Sequence, residues 1–492
     1  MNIRLNKIGI VNDSNMLLNG LTIITGKNNS GKTTVGKTLY SLLDAVSNIS
    51  AKSRRDRATY IINCLDEVVE ELDFFRFLVR NYDFENQNIE QTNPSNYSSI
   101  VSLFEHDGWQ NGSLNEIEEF AHNVQKDIST IDVESICKKE QVQFYLERVL
   151  EKRNDNASVT KIITEQLEKG NNILIELFEK LEKDPELVNY ARESIDQTLN
   201  VEFSGQIQPA SFNVESSSIE IYDNETCCFD VRIENNKVIN NGNPVFFTTP
   251  YKKVFFVDDP FIIDTPEHAF GYYRWYGDFS ETGSLLNTRS IISHNNKLKR
   301  ILRSNRRPTI LEQTMLDEAT EKIKKKIDEI IPGTFEFSSK GDFYLKGETK
   351  LKISNMATGS KMFSIIKILL EKGELGKSTM LILDEPEAHL HPSWQNSFAE
   401  MIVLLVKELG VNILLTTHSS NFVLALDAFM RKYKIEDKTN FYKTDFVNDN
   451  TVDYICANDD INLIYEEFLH YLSEVKILRN ECLRNSGDGY DV

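Results

Sequence analysis

Residues 21–34 read L-T-I-I-T-G-K-N-N-S-G-K-T-T, and this stretch sets the architecture of the chain. The β-branched run Thr22–Thr25 predicts a strand, which leads into a loop of the form Gly26-x4-Gly31-Lys32-Thr33 and then into a helical stretch that reaches Asp44. Glycines let backbone N–H groups close around a phosphate, and the helix N-terminus adds positive dipole. The order strand, loop, helix therefore predicts a P-loop rather than a chance glycine turn.

A P-loop assigns a separate task to each residue type. We expect the Lys32 ammonium to reach the β- and γ-phosphate oxygens and the Thr33 hydroxyl to bind Mg²⁺, so ATP and Mg²⁺ are the expected cofactors. The residues predicted to contact the nucleotide are Gly26, Asn28, Asn29, Ser30, Gly31, Lys32, Thr33 and Thr34.

A second apolar run, Met380–Leu383, ends in Asp384-Glu385-Pro386-Glu387. It is typical of a buried parallel strand, and the acids after it are expected at the edge of the sheet where the phosphates bind. Asp384 is the predicted metal partner, and Glu385 is the predicted general base that polarises the attacking water. The alternative is a strand end capped by solvated acids, which a P-loop upstream makes less common.

A third buried-strand pattern, residues 411–416, runs into Thr417-His418-Ser419. A histidine at the carboxyl end of a parallel strand lies at the phosphate-binding edge, so we expect His418 to contact the γ-phosphate and to act in catalysis. Between these elements, residues 354–363 (S-N-M-A-T-G-S-K-M-F) open a helix, and small residues at a helix N-terminus form either a plain cap or a second anion site. A second site is explained most simply if it binds the γ-phosphate held by another subunit.

Together, the segments G-K-N-N-S-G-K-T, M-A-T-G-S-K, L-I-L-D-E-P-E-A-H-L-H-P and L-L-T-T-H-S resemble the ABC-type ATPase heads of the SMC and OLD class. In such families these are the Walker A, signature, Walker B with D-loop, and switch-histidine segments. The resemblance implies an α/β fold, with a mixed sheet, flanking helices, an antiparallel β lobe and a helical insertion. It also implies further site residues: Gln206 as the Q-loop residue that senses Mg²⁺, Thr358, Gly359 and Ser360 as contacts to the neighbour's γ-phosphate, and His389 at the dimer seam.

Two departures from that class stand out. The signature position that is usually serine holds Ala357, so Thr358 must supply any hydroxyl. OLD nucleases carry a C-terminal Toprim domain, whereas 74 residues follow His418 here and the acids near 458–460 make no convincing metal site. We therefore expect an ATPase that is not itself a nuclease.

Charge and composition restrict the classes of protein that this sequence fits. The formal charge of −20 argues against a chain that coats nucleic acid by net charge. Residues 297–307 carry six cations in eleven positions and residues 52–57 form a smaller cluster, each either a solvated helix face or a nucleic-acid contact. No apolar run suits a membrane span, the N-terminus lacks a signal peptide, and the six cysteines show no CxxC spacing, so we expect a cytoplasmic protein with reduced thiols.

The pattern along the chain predicts a discontinuous head. The head is assigned to residues 1–58, 201–260 and 333–450, a helical insertion to 59–200, a second helical segment with the basic cluster to 261–332, and a helical tail to 451–492. Strand-like runs at 201–257 suggest the antiparallel lobe, and residues 333–353 suggest a hairpin that turns at Lys340-Gly341 and Gly347.

The expected function is an ATPase that dimerises head to head and controls an effector encoded elsewhere. It looks like the ATPase subunits of bacterial anti-phage systems such as Septu, whose partner is an HNH nuclease, or PARIS, whose partner is a Toprim nuclease. The alternative is an SMC-like repair or chromosome-associated ATPase that binds DNA itself through a patch such as 297–307. A transporter's ATPase subunit fits less well because the insertion is long and no coupling-helix pattern is present.

Overall fold

A computed structural model describes residues 1–73, 75–76, 98–105, 108–137, 156–182, 187–209, 214–223, 225–240, 249–264, 293–304, 318–338, 341–448 and 450–485. The chain divides into two compact units. The first unit comprises Met1–Asn48, Val188–Ala269 and Ile291–Val492, and the second, in its described part, comprises residues within Ile49–Leu187.

The first unit contains all of the described strands: β1 (Asn2–Ile8), β2 (Val11–Leu17), β3 (Leu21–Thr25), β4 (Ser217–Asp223), β5 (Thr226–Glu234), β6 (Lys237–Ile239), β7 (Lys253–Val257), β8 (Thr334–Ser338), β9 (Gly341–Lys346), β10 (Thr349–Lys352), β11 (Thr379–Asp384), β12 (Asn412–Thr417), β13 (Thr439–Asn448) and β14 (Thr451–Cys456). The described helices of both units are α1 (Lys32–Val46), α2 (Ile49–Glu71), α3 (Ser98–Glu105), α4 (Leu114–Thr130), α5 (Val133–Cys137), α6 (Asn156–Glu182), α7 (Leu187–Glu202), α8 (His294–Arg303), α9 (Glu318–Ile330), α10 (Thr358–Glu371), α11 (Pro392–Leu409), α12 (Ser420–Tyr433) and α13 (Asn462–Asn485).

Eleven strands form one mixed sheet in the order β6-β5-β4-β1-β2-β14-β13-β3-β12-β11-β7. Strands β13, β3, β12, β11 and β7 run parallel to their neighbours in this series, and β3, β12, β11 and β7 are buried along almost their whole length, as parallel strands covered on both faces must be. The three loops that the sequence singled out follow β3, β11 and β12. Because these strands are parallel neighbours, their carboxyl ends bring the loops to one edge of the sheet.

The other arm of the sheet is antiparallel, with β1 paired to β2 and β4, and β5 paired to β4 and β6. This arm confirms the predicted antiparallel lobe beside a mixed sheet. The prediction was wrong for the run at Lys253–Val257, however, because that strand, β7, pairs parallel with β11 at the opposite edge. All but the first of its residues are buried, which suits a parallel core strand rather than a lobe strand with a solvated face.

The prediction of a helical tail from residue 451 was also wrong at its start. Residues 451–456 form β14, which pairs antiparallel with β13 along most of its length. Its alternating burial, with Val452 and Tyr454 buried, is the strand pattern that the sequence reading missed, and the helix α13 begins only at Asn462.

A separate three-stranded sheet has the order β10-β9-β8, so residues 334–352 make two hairpins instead of one. Gly347, with φ of 56°, forms the second turn as predicted, whereas Lys340 lies outside the described residues.

The helices of the first unit cover the large sheet. Helix α1 packs against β7 and β11, and α8 packs against β7, so both contact the edge strand that carries Asp258 at its end. Helix α10 is buried along most of its length and α11 through its second half, and the two supply much of the main core, with residues such as Phe363, Ile366 and Phe398.

The second unit is helical in its described part and has its own core. Helix α2 packs against α4 and α6, burying Ile61, Leu65 and Val68 among residues of α4 and α6. The described residues contain no helix that is long and apolar enough to cross a membrane.

Candidate nucleotide-binding site

The loop after β3 has the backbone that a P-loop requires. Gly31 has φ of 72° and Asn29 has φ of 62°, both in the left-handed region. A Cβ at Gly26 would lie 1.8 Å from Thr444 Oγ1 of β13, so only glycine lets the loop begin this close to the neighbouring strand. The Tyr454 hydroxyl of β14 donates a 3.0 Å hydrogen bond to Ser30 O. The strands β13 and β14 therefore pack against the loop and help to fix its backbone.

Lys32, at the start of α1, is buried and its ammonium lies inside the loop. Nζ donates to Gly26 O at 3.0 Å and to Lys27 O at 2.7 Å, and it lies 3.4 Å from Glu385 Oε1. The loop carbonyls therefore fix the Lys32 ammonium inside the loop. There it lies beside the carboxylate of Glu385, the predicted general base.

Thr33 and Asp384 meet where Mg²⁺ is expected. Thr33 Oγ1 donates to Asp384 Oδ2 at 2.6 Å, and the Thr416 hydroxyl donates to the other carboxylate oxygen. Burial raises the pKa of Asp384, and the negative charges of Glu385 and Asp258 raise it further, while the two hydroxyl hydrogen bonds lower it. A cation would stabilise the ionised form of this crowded carboxylate.

This pair fits Mg²⁺ bound together with a nucleotide. Mg²⁺ takes one or two protein oxygens there and obtains the rest from phosphate oxygens and water. Consistent with that, the described residues hold no cluster of three or more His, Cys, Asp or Glu side chains arranged around a metal position.

Glu385 occupies a strained position between the cation and the histidine. Its φ of 48° is unusual for a non-glycine residue, and its backbone N–H donates to Thr416 O at 3.1 Å, which stabilises the turn. The carboxylate lies between Lys32, on Oε1, and His418, whose Nδ1 is 3.1 Å from Oε2. The structure therefore brings together Lys32, Glu385 and His418, the three residues predicted to be catalytic.

Sequence reasoning missed Glu387, which is 1 % exposed and accepts a hydrogen bond from the Thr417 hydroxyl. Burial raises its pKa to about 6, and the hydrogen bond from Thr417 lowers it in part. The available signal was a third acid within four residues, after Asp384 and Glu385, at the end of an apolar strand. Its position next to Pro386 favoured a solvated turn instead.

It also missed Asp258, at the end of β7. The parallel register pairs Val257 with Leu383, which places Asp258 next to Asp384 at the adjoining strand end. Asp258 Oδ1 lies 3.0 Å from His294 Nε2, and Nδ1 of the same ring contacts Glu202. The run V-F-F-V-D-D-P repeats the pattern of L-I-L-D-E-P, and this similarity could have identified it.

The two carboxylates set the charge of the buried histidine. Burial by itself lowers the pKa of His294, but the hydrogen bonds and charges of Asp258 and Glu202 outweigh it and raise the pKa to about 9. For Asp258, burial raises the pKa, and the contact with His294 outweighs that and lowers it. An imidazolium between two carboxylates is the charge state that results at neutral pH.

The predicted signature residues stand at the N-terminus of α10. Thr358 and Ser360 are half-buried, and among the described residues neither forms a hydrogen bond with the P-loop. A Cβ at Gly359 would lie 3.0 Å from His389 O, and the exposed His389 ring meets Phe261 edge-on at a centroid distance of 6.0 Å. Gly359 and His389 are thus neighbours within one chain.

Gln206 lies apart from the metal pair in this structure. It is exposed in the turn after α7, and its backbone N–H donates to Phe203 O at 3.1 Å. The next residue, Ile207, joins the antiparallel arm through Gly9 N–H and the Asn236 side chain. The described contacts of Gln206 include neither Thr33 nor Asp384.

Part of the basic cluster at residues 297–307 is paired or buried inside the first unit. Lys297 pairs with Asp44, Arg303 pairs with Asp342, and Lys299 is buried. Arg306 and Arg307 lie outside the described residues. In the second unit, Arg57 of the smaller cluster pairs with Glu118 at 2.6 Å. These paired cations stabilise the fold and are not available as a continuous basic surface.

Comparison with known proteins identifies the family. The family described as AAA ATPase domain matches residues 5–423, a range that contains the P-loop, Asp384 and His418. No curated protein sequence matches the chain.

Similar solved structures include the SMC head domain from Thermotoga maritima, at 11% identity and TM-score 0.33, covering 92% of this chain and 97% of that one. Another is the SmcHead bound to the C-winged helix domain of ScpA, at 10% identity and TM-score 0.36, covering 92% and 96%. A third is the Smc head domain with an extended coiled coil from Pyrococcus furiosus, bound to the C-terminal domain of ScpA, at 11% identity and TM-score 0.30, covering 96% and 98%. Because the family match spans most of the chain, the protein belongs to the AAA ATPase domain family.

Proposed function

We propose that the chain binds Mg²⁺-ATP at the loop after β3 and hydrolyses it with Glu385 as the general base. The observation that carries this proposal is the Glu385 carboxylate held between Lys32 at 3.4 Å and His418 at 3.1 Å, next to the pair formed by Thr33 and Asp384. A carboxylate oriented by two basic neighbours can serve as the acceptor for a proton of the attacking water.

Each side chain then has one part in the reaction. Lys32 and the loop N–H groups hold the phosphates, and Thr33 and Asp384 would hold Mg²⁺, which neutralises charge on the phosphate oxygens. Glu385 accepts the proton of the attacking water. His418, at the carboxyl end of β12, orients Glu385 through Nδ1, and the rest of its exposed ring would contact the γ-phosphate.

We further propose that two copies share their sites. Thr358 and Ser360 stand at a helix N-terminus, which favours an anion, yet in the described part of the chain they have no hydrogen bond to their own P-loop. A second copy that faces α10 would supply the γ-phosphate. In that arrangement the exposed His389 lies at the seam, and Gln206 would sense Mg²⁺ only if its turn closed on the site.

The proposed role of the dimer is control of a separate effector, an HNH or Toprim nuclease, in anti-phage defence. The support is the sequence resemblance to ATPase subunits of such systems, together with an ATP site whose opening and closing would present two different surfaces. The SMC-like alternative, in which the chain binds DNA itself, needs a basic surface. The pairing of Lys297 and Arg303 with carboxylates removes part of the segment first considered for it.

Two measurements test this function. Purified protein should release phosphate from Mg²⁺-ATP, and Lys32→Ala should abolish that release while Glu481→Gln, on the exposed end of α13, should not. The tagged chain, purified from its native operon in ATP and in ADP, should retain a nuclease in one state only. Tight, salt-sensitive DNA binding by the isolated chain with no co-purified protein would contradict the effector role and favour the alternative.

A further inference from the structure

Glu387 combines complete burial with an incomplete set of partners. Its side chain lies between the ends of β11 and β12, where Oε1 accepts a hydrogen bond from Thr417 and Oε2 has no hydrogen-bond partner in the described part of the chain. A buried carboxyl group with one oxygen unsatisfied costs free energy relative to an apolar side chain of similar size. Because Glu387 costs free energy and lies next to Asp384 and Glu385, we expect it to serve function rather than stability.

The bond to Thr417 extends to the residue on the other side of His418. The Thr417 hydroxyl donates to Glu387 and accepts from the Ser419 backbone N–H at 3.0 Å. The Thr417 hydroxyl therefore fixes the residues on both sides of His418, and its hydrogen bond to Glu387 sets the orientation of that hydroxyl. His418 in turn contacts the Glu385 carboxylate at 3.1 Å.

Gln395 makes a second connection between the same two segments. Its amide nitrogen donates to Leu390 O at 3.3 Å, and its amide oxygen accepts from Ser419 Oγ at 3.3 Å and from Asn421 Nδ2 at 3.0 Å. The segment 387–391 is thus tied to the segment 417–421 at two points. Its middle residue, His389, lies against Gly359 at the start of α10.

We propose that Glu387 is a positioning residue for hydrolysis: through Thr417 it sets the place of His418 and hence of the Glu385 carboxylate. Through the same contacts, a displacement of segment 387–391 or of the α10 N-terminus would move His418 and thereby the Glu385 carboxylate that faces the attacking water. This inference rests on the proposed ATPase function. It assigns Glu387 no contact with substrate.

The substitutions separate the hydrogen bond from the charge. Glu387→Gln keeps an oxygen that can accept from Thr417, so kcat should stay within about threefold of the parent, whereas Glu387→Met removes the acceptor and should lower kcat about tenfold or more with little change in KM. Thr417→Val removes the same bond and should match Glu387→Met. Thr417→Ser restores the hydroxyl and should restore turnover.

A double-mutant cycle gives the decisive result. Because both single changes break one bond, the pair Glu387→Met with Thr417→Val should be no slower than either alone. Effects that multiply would show that the two residues act independently and would overturn the proposal, as would a Glu387→Met variant with unchanged kcat. Glu374→Met, another buried acid, whose ion pair is with Lys253 at 2.8 Å, serves as the control for general loss of packing.

A second readout does not depend on turnover. In protein labelled with ¹³C at histidine, the His418 resonance, assigned from His418→Ala, should move to one common position in Glu387→Met and Thr417→Val and stay near the parent position in Glu387→Gln. An unmoved resonance in folded Glu387→Met protein would overturn the positioning role even if the parent chain proved inactive. Inactivity of the parent with the shifts as expected would instead count against the proposed function alone.

Discussion

The Glu385 carboxylate lies 3.4 Å from the Lys32 ammonium and 3.1 Å from the imidazole of His418. The three residues follow the strands β3, β11 and β12, and the parallel register brings the carboxyl ends of these strands together. A base, a phosphate-binding cation and a histidine therefore occupy one edge of the sheet, next to Thr33 and Asp384.

The first prediction separates ATP binding from hydrolysis. Glu385→Gln removes the proton acceptor and keeps the shape, so turnover should fall about 100-fold or more while ATP still binds. Lys32→Ala removes the cation at the phosphates and should lose binding itself. Single-turnover phosphate release and equilibrium binding of a fluorescent ATP analogue measure the two effects. Unchanged turnover in Glu385→Gln would remove Glu385 from its role.

The second prediction tests the shared site. The natural choice would be Gly359→Asp, but a Cβ at that position lies 3.0 Å from His389 O of the same chain, so the change would disturb the local fold as well. Ser360→Asp is better because the first turn of a helix tolerates an acid while the charge repels a phosphate. It should abolish hydrolysis and leave ATP binding by a single head intact.

Mixing Ser360→Asp with Lys32→Ala protein sharpens this test. A mixed dimer has one doubly damaged site and one site made of two intact halves, so part of the activity should return. Equal activity of the mixture and of the separate variants, after subunit exchange has been verified with a fluorescent label, would argue against sites shared between copies.

The third prediction concerns nucleic acid. Metal-dependent cleavage needs carboxylates gathered around one or two divalent ions, and in the described residues no such cluster of three or more ligands occurs. Purified protein with Mg²⁺ or Mn²⁺ should leave plasmid, linear DNA and tRNA intact, with or without ATP. Robust cleavage that is lost on mutating acids outside 384–387 would reveal a nuclease centre and refute this prediction.

The fourth prediction follows from the buried cation between two acids. The pKa of His294 is raised to about 9, above its usual value near 6.5, so its ion pairs stabilise the fold fully below pH 6.5 and lose that effect as pH rises through 9. His294→Gln removes the cation and leaves the buried Glu202 and the partly buried Asp258 without their cationic partner. The melting temperature should therefore fall by several degrees at pH 7, and the gap between variant and parent should narrow toward pH 9.5.

Two changes serve as comparisons for His294. Asp258→Asn in the His294→Gln background should recover part of the lost melting temperature, since it removes one of the two uncompensated charges. The exposed pair of Lys350 and Glu336, 3.0 Å apart, provides a matched control: Lys350→Gln should change the melting temperature little at either pH. A constant gap between parent and His294→Gln from pH 6 to pH 9.5 would contradict an ionised His294.

The local sequence pattern was sufficient to predict several elements of this protein. The run Leu21–Thr25 and the glycines at 26 and 31 determine the P-loop, because a buried strand, a left-handed glycine and a helix start leave little freedom to the backbone between them. The apolar runs before Asp384 and His418 likewise predict buried parallel strands. Since parallel strands end at a common edge, the meeting of Lys32, Asp384, Glu385 and His418 followed from the sequence by itself.

Tertiary structure alone decided which other residues join them. Asp258 comes to Asp384 only because β7 lies beside β11 in the sheet. The likeness of V-F-F-V-D-D-P to L-I-L-D-E-P indicates a similar strand end, but that local pattern does not determine which strands are neighbours. Glu387 resembles a solvated turn acid until β12 places Thr417 over it. Tyr454 and Thr444 support the P-loop from strands more than 400 residues away in the chain, and contacts at that distance depend on the order of the strands in the sheet, which local periodicity does not encode.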